Sequence, residues 1–331
     1  MKISVILLAP LLWLPPATAQ DQLPIIDMHL HIRGVTSFGG PMTVCTNEQN
    51  VHFPGLDPRE PITVQRTSVC DSPLPSASND TELMEKTIEM LERYNVFAVT
   101  DGTLDELDQW SAESPKRIIP ALDFDFVGGQ GPSGFRELYQ DGRFQVFSEI
   151  APQYEGKLAT DEELDDYFAL AEELDIPIGF HLGEGPPGGT HVGGYSGYKA
   201  SLTSALQLEE IILKYPKLRL YVMHYGSPLV EDTIALLYSH PQVYVDIAQN
   251  NWGVPRAHFY RQLKMLVDAG FQKRIMFGSD QMIWPETIRI AIETVEDADF
   301  LSNDQKRDIF YHNAARFLRL TDSQIKAHHS Q

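Results

Sequence analysis

The 331-residue chain is short of cysteine, of positive charge and of long apolar runs, and each shortage removes a class of protein. Cys45 and Cys70 are its two cysteines, and neither has a second ligand at zinc-finger spacing. Against 46 Asp+Glu stand 26 Lys+Arg, a formal net charge of −20, so nucleic acid and anionic membrane surfaces are repelled rather than bound. Beyond the first residues no segment is apolar enough to cross a membrane. No glycine-rich phosphate-binding turn follows the first strand candidate, which argues against a nucleotide-binding doubly wound sheet.

The start of the chain is different. Met1-Lys2, the apolar stretch Ile3 to Leu14 and Ala17-Thr18-Ala19 before Gln20 and Asp21 have the layout of a secretory signal peptide over 1–19, with cleavage expected after Ala19. Pro10, Pro15 and Pro16 interrupt the run, which is shorter than the roughly 20 residues a membrane anchor needs. The expectation is an exported chain, periplasmic or secreted. In such an oxidising compartment Cys45 and Cys70 tend to join, a disulfide worth roughly 3 kcal/mol by restricting the unfolded loop; free thiols or a metal pair are the alternatives.

Hydrophobic residues make up 43% of the composition, enough for a substantial core in residues 20–331. Eight runs rich in Val, Ile, Leu, Phe or Tyr read as strands: Pro24–His31, Val96–Thr100, Arg117–Phe124, Gln145–Ile150, Pro177–Leu182, Arg219–Gly226, Val243–Ala248 and Arg274–Asp280. Amphipathic helical patterns lie between them, at Thr81–Tyr94, Asp161–Leu174, Ser201–Tyr215 and Phe259–Ala269. Strand and helix in alternation mean parallel strands with helical crossovers, and eight such units fit a single-domain α/β fold, the (β/α)8 or TIM barrel. An open doubly wound sheet is the runner-up. The stretch 34–79, rich in Pro, Thr, Ser and Asn, reads as an irregular insertion after strand one, pinned by Cys45–Cys70 and covering the barrel mouth.

Chemistry-bearing residues collect at the ends of these strands. Asp27-Met28-His29-Leu30-His31 ends the first, and alternation puts His29 and His31 on one side with Met28 and Leu30 on the other. Two converging imidazoles suit a metal, although an isolated HxH reads equally well as two hydrogen-bonded core histidines. Strand five then ends in His181, strand six in His224 and strand eight in Asp280, and catalytic groups of a barrel sit at those C-terminal ends. Core histidines would instead be scattered along strand interiors.

The motifs IIDMHLH, PIGFHLGEG, YVMHYG and IMFGSD, with HNAARFLRL near the end, resemble the amidohydrolase superfamily, more narrowly the branch of aminocarboxymuconate-semialdehyde decarboxylase and related metal-dependent hydrolases. The resemblance implies that His29, His31, His181 and Asp280 hold a divalent metal, Zn2+ first among candidates, and that Asp280 also acts as the base. It places His224 beside the water or the polarised substrate oxygen. Glu149, ending strand four, either bridges two metals or hydrogen-bonds a ligand histidine; one ion is the expectation and a second stays open.

The Gly- and Pro-rich stretch 183–198 reads as a substrate-covering loop, with His191 exposed or hydrogen-bonded. Arg33, Asn250, Asn251, Trp252 and Trp284 are candidates for lining the pocket, Asp27 for supporting the histidines, and His328-His329 for a solvated tail. A small molecule is the expected partner, with association into homo-oligomers compatible. The leading function is hydrolysis of an amide, lactone or ester by metal-activated water. The alternative is non-oxidative decarboxylation of an unsaturated or aromatic acid, for which Arg33 or Arg256 would anchor the carboxylate. A third reading, an exported metal- or ligand-binding protein without catalysis, has no use for an acid–base aspartate.

Overall fold

The first strand is buried along its whole length, as a strand must be that has helices behind it and a filled interior in front. In the computed structural model, which describes residues 23–122, 129–192 and 194–331, it is one of eight parallel strands hydrogen-bonded in sequence order. They are β1 Ile25–His31, β2 Val96–Asp101, β3 Ile118–Leu122, β4 Val146–Ile150, β5 Ile178–His181, β6 Leu220–Met223, β7 Tyr244–Asp246 and β8 Ile275–Met276. The ends of the series meet. Met28 N donates to Phe277 O (2.9 Å), Asp280 N to His29 O (2.7 Å) and His31 N to Gln281 O (2.9 Å), closing β1 against β8.

After each strand comes a helix: α1 Asp80–Arg93, α2 Leu104–Glu113, α3 Gly131–Gln140, α4 Glu162–Leu174, α5 Glu209–Lys214, α6 Val230–Ser239, α7 Arg256–Asp268 and α8 Glu286–Glu296. Their starts follow local chemistry. Asn79 caps α1 by accepting from Glu82 N, Thr103 and Glu106 form a reciprocal capping box on α2, and α4 opens with Glu162, Glu163 and Asp165 at its positive end. The larger apolar cluster lies between strands and helices. A smaller one, with Ile26, Met28, Val99, Val146, Tyr221, Met223 and Met276, fills the cylinder and is closed off by Tyr311, Ala314 and Phe317.

Simple alternation along β1 does not survive. Met28 joins the interior cluster and Leu30 the outer one, because the pairing of β1 with β2 slips between Asp27 and Leu30. That irregularity lets an apolar floor at Ile26 and Met28 and a histidine roof at His29 and His31 face the same lumen. Several strands also stop short of their hydrophobic runs, β5 at His181 and β7 at Asp246 among them. β6 stops at Met223, with His224, Tyr225 and Gly226 turning at φ 54°, 44° and 65°, and β8 stops at Met276. The helix expected over Ser201–Tyr215 breaks into two short turns before α5, and residues 123–124 of the third run lie outside the described residues, as does 1–19.

Residues 34–79 contain a two-stranded antiparallel ribbon, Thr43–Val44 against Leu74–Pro75, beside the Cys45–Cys70 disulfide. The insertion is tied to the loops after β7 and β8: Asn47 N donates to Trp252 O (2.6 Å) and Ala77 N to Ile283 O (2.9 Å). Its Phe38 ring meets His31 at 5.5 Å.

The tail is not solvated around His328. A helix, Asp322–His328, docks on the barrel floor, where the His328 ring stacks on buried Phe97 (3.7 Å, 14°) with the Arg117 guanidinium 4.7 Å from the same ring. Burial pushes His328 down to about 4, with Arg117 and His329 adding to it. The unfolded chain takes up that proton near 6.5, so this contribution to stability is complete above 6.5 and is lost as pH falls toward 4. Urea midpoints measured across that window should therefore fall on acidification, and His328→Phe, which keeps the stack, should flatten the fall; an equally steep profile in the variant would exclude His328 as its source.

Candidate metal centre

Glu149, His224 and Asp280 end or follow their strands on left-handed backbone, at φ 47°, 54° and 51°, and Gln249 after β7 does so at 59°. For residues with a Cβ that conformation costs roughly 1–2 kcal/mol each. Strand pairing, turn hydrogen bonds and the bonds below hold it. It curls each chain end inward, so side chains from separate strands meet over the lumen.

The meeting is close. His31 Nε2 lies 3.0 Å from Asp280 Oδ1 and 3.4 Å from Glu149 Oε2, while His29 Nε2 lies 3.7 Å from Asp280 Oδ1 and 3.9 Å from Glu149 Oε1. His224 faces His29 across 4.9 Å and His181 across 4.5 Å, ring centre to ring centre. All four imidazoles are at most 4% exposed. Gly183 makes room for His224, since a Cβ there would lie 2.5 Å from its ring, and Gly278 packs closely on Ala248 and His29, where a Cβ would lie 3.0 Å and 3.1 Å from theirs.

The outer nitrogens decide what the inner ones can do. His29 Nδ1 donates to Asp246 Oδ2 (3.3 Å), His31 Nδ1 to Asp101 Oδ1 (2.5 Å) and His224 Nδ1 to Ala248 O (3.1 Å). With the proton on Nδ1, each Nε2 presents a lone pair to the lumen, the form a metal ligand takes. Nε2 of His29 and of His224 are buried with no hydrogen-bond partner, and Nε2 of His31 lies 3.0 Å from a carboxylate oxygen, a contact that needs a proton or a cation between the two atoms. Positive charge is what such an arrangement lacks.

Electrostatics say the same. Burial alone would push His29 down, yet Asp280, Asp246 and Glu149 outweigh it and raise it to about 9; His31 is driven up likewise by Asp101 and Glu149. Burial would raise Asp280, but His29, His31 and His224 hold it below the usual carboxylate range. The residues present therefore fit a divalent cation. His29, His31 and Asp280 form one group whose ligand atoms lie within 4.8 Å of one another, and His29, Glu149 and His224 form another.

His181 is placed differently. Gln153 lies against its Nδ1 and the Tyr154 hydroxyl is 3.0 Å from its Nε2, while burial and the other three histidines push it well below 6.5. Arg33, expected as an anchor, gives its guanidinium to Asp101 Oδ2 (2.9 Å), and Arg256 engages Asp297 (3.0 Å). Trp252 and Trp284 donate to Ser279 O (2.5 Å) and Met42 O (3.2 Å), which ties the mouth loops together, and Asn250 is buried behind Ala248.

Sequence reasoning missed Asp101, Asp246, Gln153 and Tyr154. The first two end β2 and β7, where the rule that found His181 and Asp280 applies equally. Gln153 and Tyr154 lie in a turn, Pro152–Glu155, after β4 and carry no pattern.

His29→Ala and His31→Ala should each lower bound metal, counted by elemental analysis of the purified protein. Asp101→Asn should weaken retention by roughly 10–100-fold, the usual worth of a residue that orients a ligand. Wild-type metal content in both histidine variants would remove them from the site.

No curated protein matches the chain in sequence. Among solved structures, an uncharacterized TIM-barrel protein from Bordetella bronchiseptica is similar over 92% of this chain and 100% of its own, with a TM-score of 0.61 at 13% identity. A 5-carboxyvanillate decarboxylase from Sphingomonas paucimobilis matches over 71% and 82%, with a TM-score of 0.52 at 15% identity. A probable 2-pyrone-4,6-dicarboxylic acid hydrolase from Acinetobacter baumannii matches over 90% and 100%, with a TM-score of 0.55 at 13% identity. At these identities the likeness is one of fold. The amidohydrolase family model, by contrast, matches the sequence itself over residues 26–320, so the strand ends that carry the histidines and Asp280 lie inside it: the chain belongs to the amidohydrolase family, as a metal-dependent enzyme.

Proposed function

We propose that the protein is a metal-dependent hydrolase of small-molecule lactones, esters or amides, working outside the cytoplasm. The observation that carries the reading is the pair of buried, partnerless imidazole nitrogens on His29 and His224, facing the carboxylates of Asp280 and Glu149. His29, His31 and Asp280 would hold the cation, with Glu149 facing the same space; His181 falls in none of the candidate ligand groups among the described residues and is kept as a further ligand because it ends β5 with its ring beside His224. Imidazole and carboxylate donors suit Zn2+. When bound, such an ion polarises a carbonyl and lowers the pKa of water toward roughly 7.

The chain's own residues do the rest. Asp280, kept ionised by the surrounding imidazoles, accepts the proton of the attacking water and returns it to the leaving group. His224, its ring oriented by Ala248 O and its backbone N–H bonded to Asp246 Oδ1 (2.7 Å), steadies charge on the attacked oxygen. Tyr154, Tyr195 and Phe38 surround the mouth with aromatic surface and limit water. The second group, His29, Glu149 and His224, shares His29 with the first, so one ion is the reading, and a second would call on Glu149 as its ligand.

Hydrolysis is preferred to decarboxylation because the expected carboxylate anchors are engaged: Arg33 with Asp101 and Arg256 with Asp297. The solved structures of similar fold include one named a decarboxylase and one named a hydrolase, so they do not choose between the two. The Cys45–Cys70 disulfide supports an oxidising compartment.

Purified protein should turn over members of an ester, lactone and amide panel, lose that activity to a chelator and regain it with Zn2+. Release of CO2 from aromatic acids without any hydrolysis would replace the reading by decarboxylation, and silence on both panels with metal retained would leave a binding protein. His224→Ala should cut kcat roughly 10²–10⁴-fold while sparing metal at His29, His31 and Asp280. Gly183→Ala, which drives a methyl into the His224 ring, should lower kcat in the same direction.

A further inference from the structure

His181 is the odd member of the cluster, because a neutral amide and a phenol engage its two ring nitrogens where carboxylates engage those of His31. The Gln153 amide lies against Nδ1, and the Tyr154 hydroxyl is 3.0 Å from Nε2. Buried Gln153 Oε1 has no partner, while its amide nitrogen is set against the ring. In that orientation Nδ1 accepts from the amide, Nε2–H donates to the Tyr154 hydroxyl, and Oε1 is left unpaired. Turning the amide about its axis, which exchanges nitrogen and oxygen without moving any other atom, lets Nδ1–H donate to Oε1. Nε2 then carries a lone pair, as in His29 and His224, and the Tyr154 hydroxyl donates to it.

Tyr154 is held in that place from the far side. Its ring stacks on Tyr195 (4.3 Å, 27°), and Tyr198 stands 6.0 Å away. Gly185 passes so near that a Cβ would lie 2.8 Å from the Tyr154 ring, and a Cβ on Gly197 would lie 2.5 Å from the Glu155 backbone. The loop after β5 is therefore seated on the turn that carries Gln153 and Tyr154, through backbone at Gly197 and against the Tyr154 ring at Gly185 and Tyr195, and that seating fixes the hydroxyl on His181.

We propose that Tyr154 is a positioning residue that caps His181: its hydroxyl competes with a divalent cation for Nε2, so cation affinity depends on how the loop after β5 is seated, while Gln153 keeps the ring in its ligating form. The inference rests on the metal reading above and assigns opposite effects to two neighbouring residues. Removing the hydroxyl frees the ligand nitrogen. Removing the amide lets the ring take the other tautomer.

Zn2+ affinity measured by competition with a chromophoric chelator tests this on the full chain. Tyr154→Phe, which keeps the stack, should bind roughly tenfold tighter than wild type, the worth of one buried hydrogen bond. Gln153→Leu should bind more weakly, and Tyr154→Phe should have no effect in a His181→Ala background. Affinity unchanged or lowered by Tyr154→Phe, or an undiminished gain without His181, would overturn the cap. If wild type binds no Zn2+ at all, the metal reading fails, and the cap is judged by long-range 1H–15N spectra of the metal-free protein. Those spectra should show His181 protonated on Nδ1; protonation on Nε2 would sink it.

Discussion

The seam between β1 and β8 is the constraint on which the centre depends. A barrel can close there only if the last strand finds the free edge of the first, and the residues that make the closure are those that bear the chemistry. Asp27 Oδ1 accepts from His29 N (3.0 Å) and from Ser279 N (2.9 Å), one carboxylate oxygen pinning the backbone on both sides of the join. Asp280 N donates to His29 O across it. Burial raises Asp27 to about 6, against the pull of its hydrogen bonds to Ser279 and His29, so a charged group is kept dry for the sake of that join. With the seam closed, His29, His31 and Asp280 become neighbours although 249 positions separate the last two.

Closure creates an electrostatic demand that the protein alone does not meet. Asp101, Asp246, Glu149 and Asp280 converge on four imidazoles whose exposure is a few per cent, in a setting where unpaired charge is costly. Asp101 and Asp246 act from behind, each fixing a proton on Nδ1, and Arg33 balances Asp101. Glu149 and Asp280 act from in front, where they face lone pairs. A site with carboxylates on both sides of its histidines raises imidazole basicity and selects for a cation, because a neutral guest would leave acceptor facing acceptor.

Much of this was legible in the chain. Runs rich in Val, Ile, Leu, Phe or Tyr placed all eight strands, and the position of a residue at a strand's C-terminal end singled out His29, His31, His181, His224 and Asp280. The same criterion covers Asp101 and Asp246, which were passed over because an aspartate after Val-Thr or Tyr-Val looks like an ordinary strand terminus. The slip in β1 was not legible, since it depends on how β2 pairs. Nor was the engagement of Arg33 and Arg256, because a cation beside a motif reads the same whether it faces a substrate or a neighbouring carboxylate. The docking of His328 on Phe97 joins the C-terminal helix to a residue of β2 far away in the chain and has no local signature.

Left-handed backbone at His224, Gln249 and Asp280 explains why strand runs overestimated strand length there, while Glu149 takes the same conformation one residue before β4 ends. A strand that stayed extended would carry these side chains past the lumen and alternate them away from it. Turning the chain once at each end keeps consecutive strands parallel and still delivers one side chain from each to a common point. The strain is local and repeated, while the hydrogen bonds that offset it are shared: Asp246 alone accepts from His224 N and Ala248 N and receives the His29 ring. Relieving the strain with glycine at any of these positions would remove the side chain that the turn exists to present, so backbone cost and site chemistry cannot be separated by substitution at those residues. They separate only at positions such as Gly183 and Gly278, where the absence of a side chain is itself the contribution.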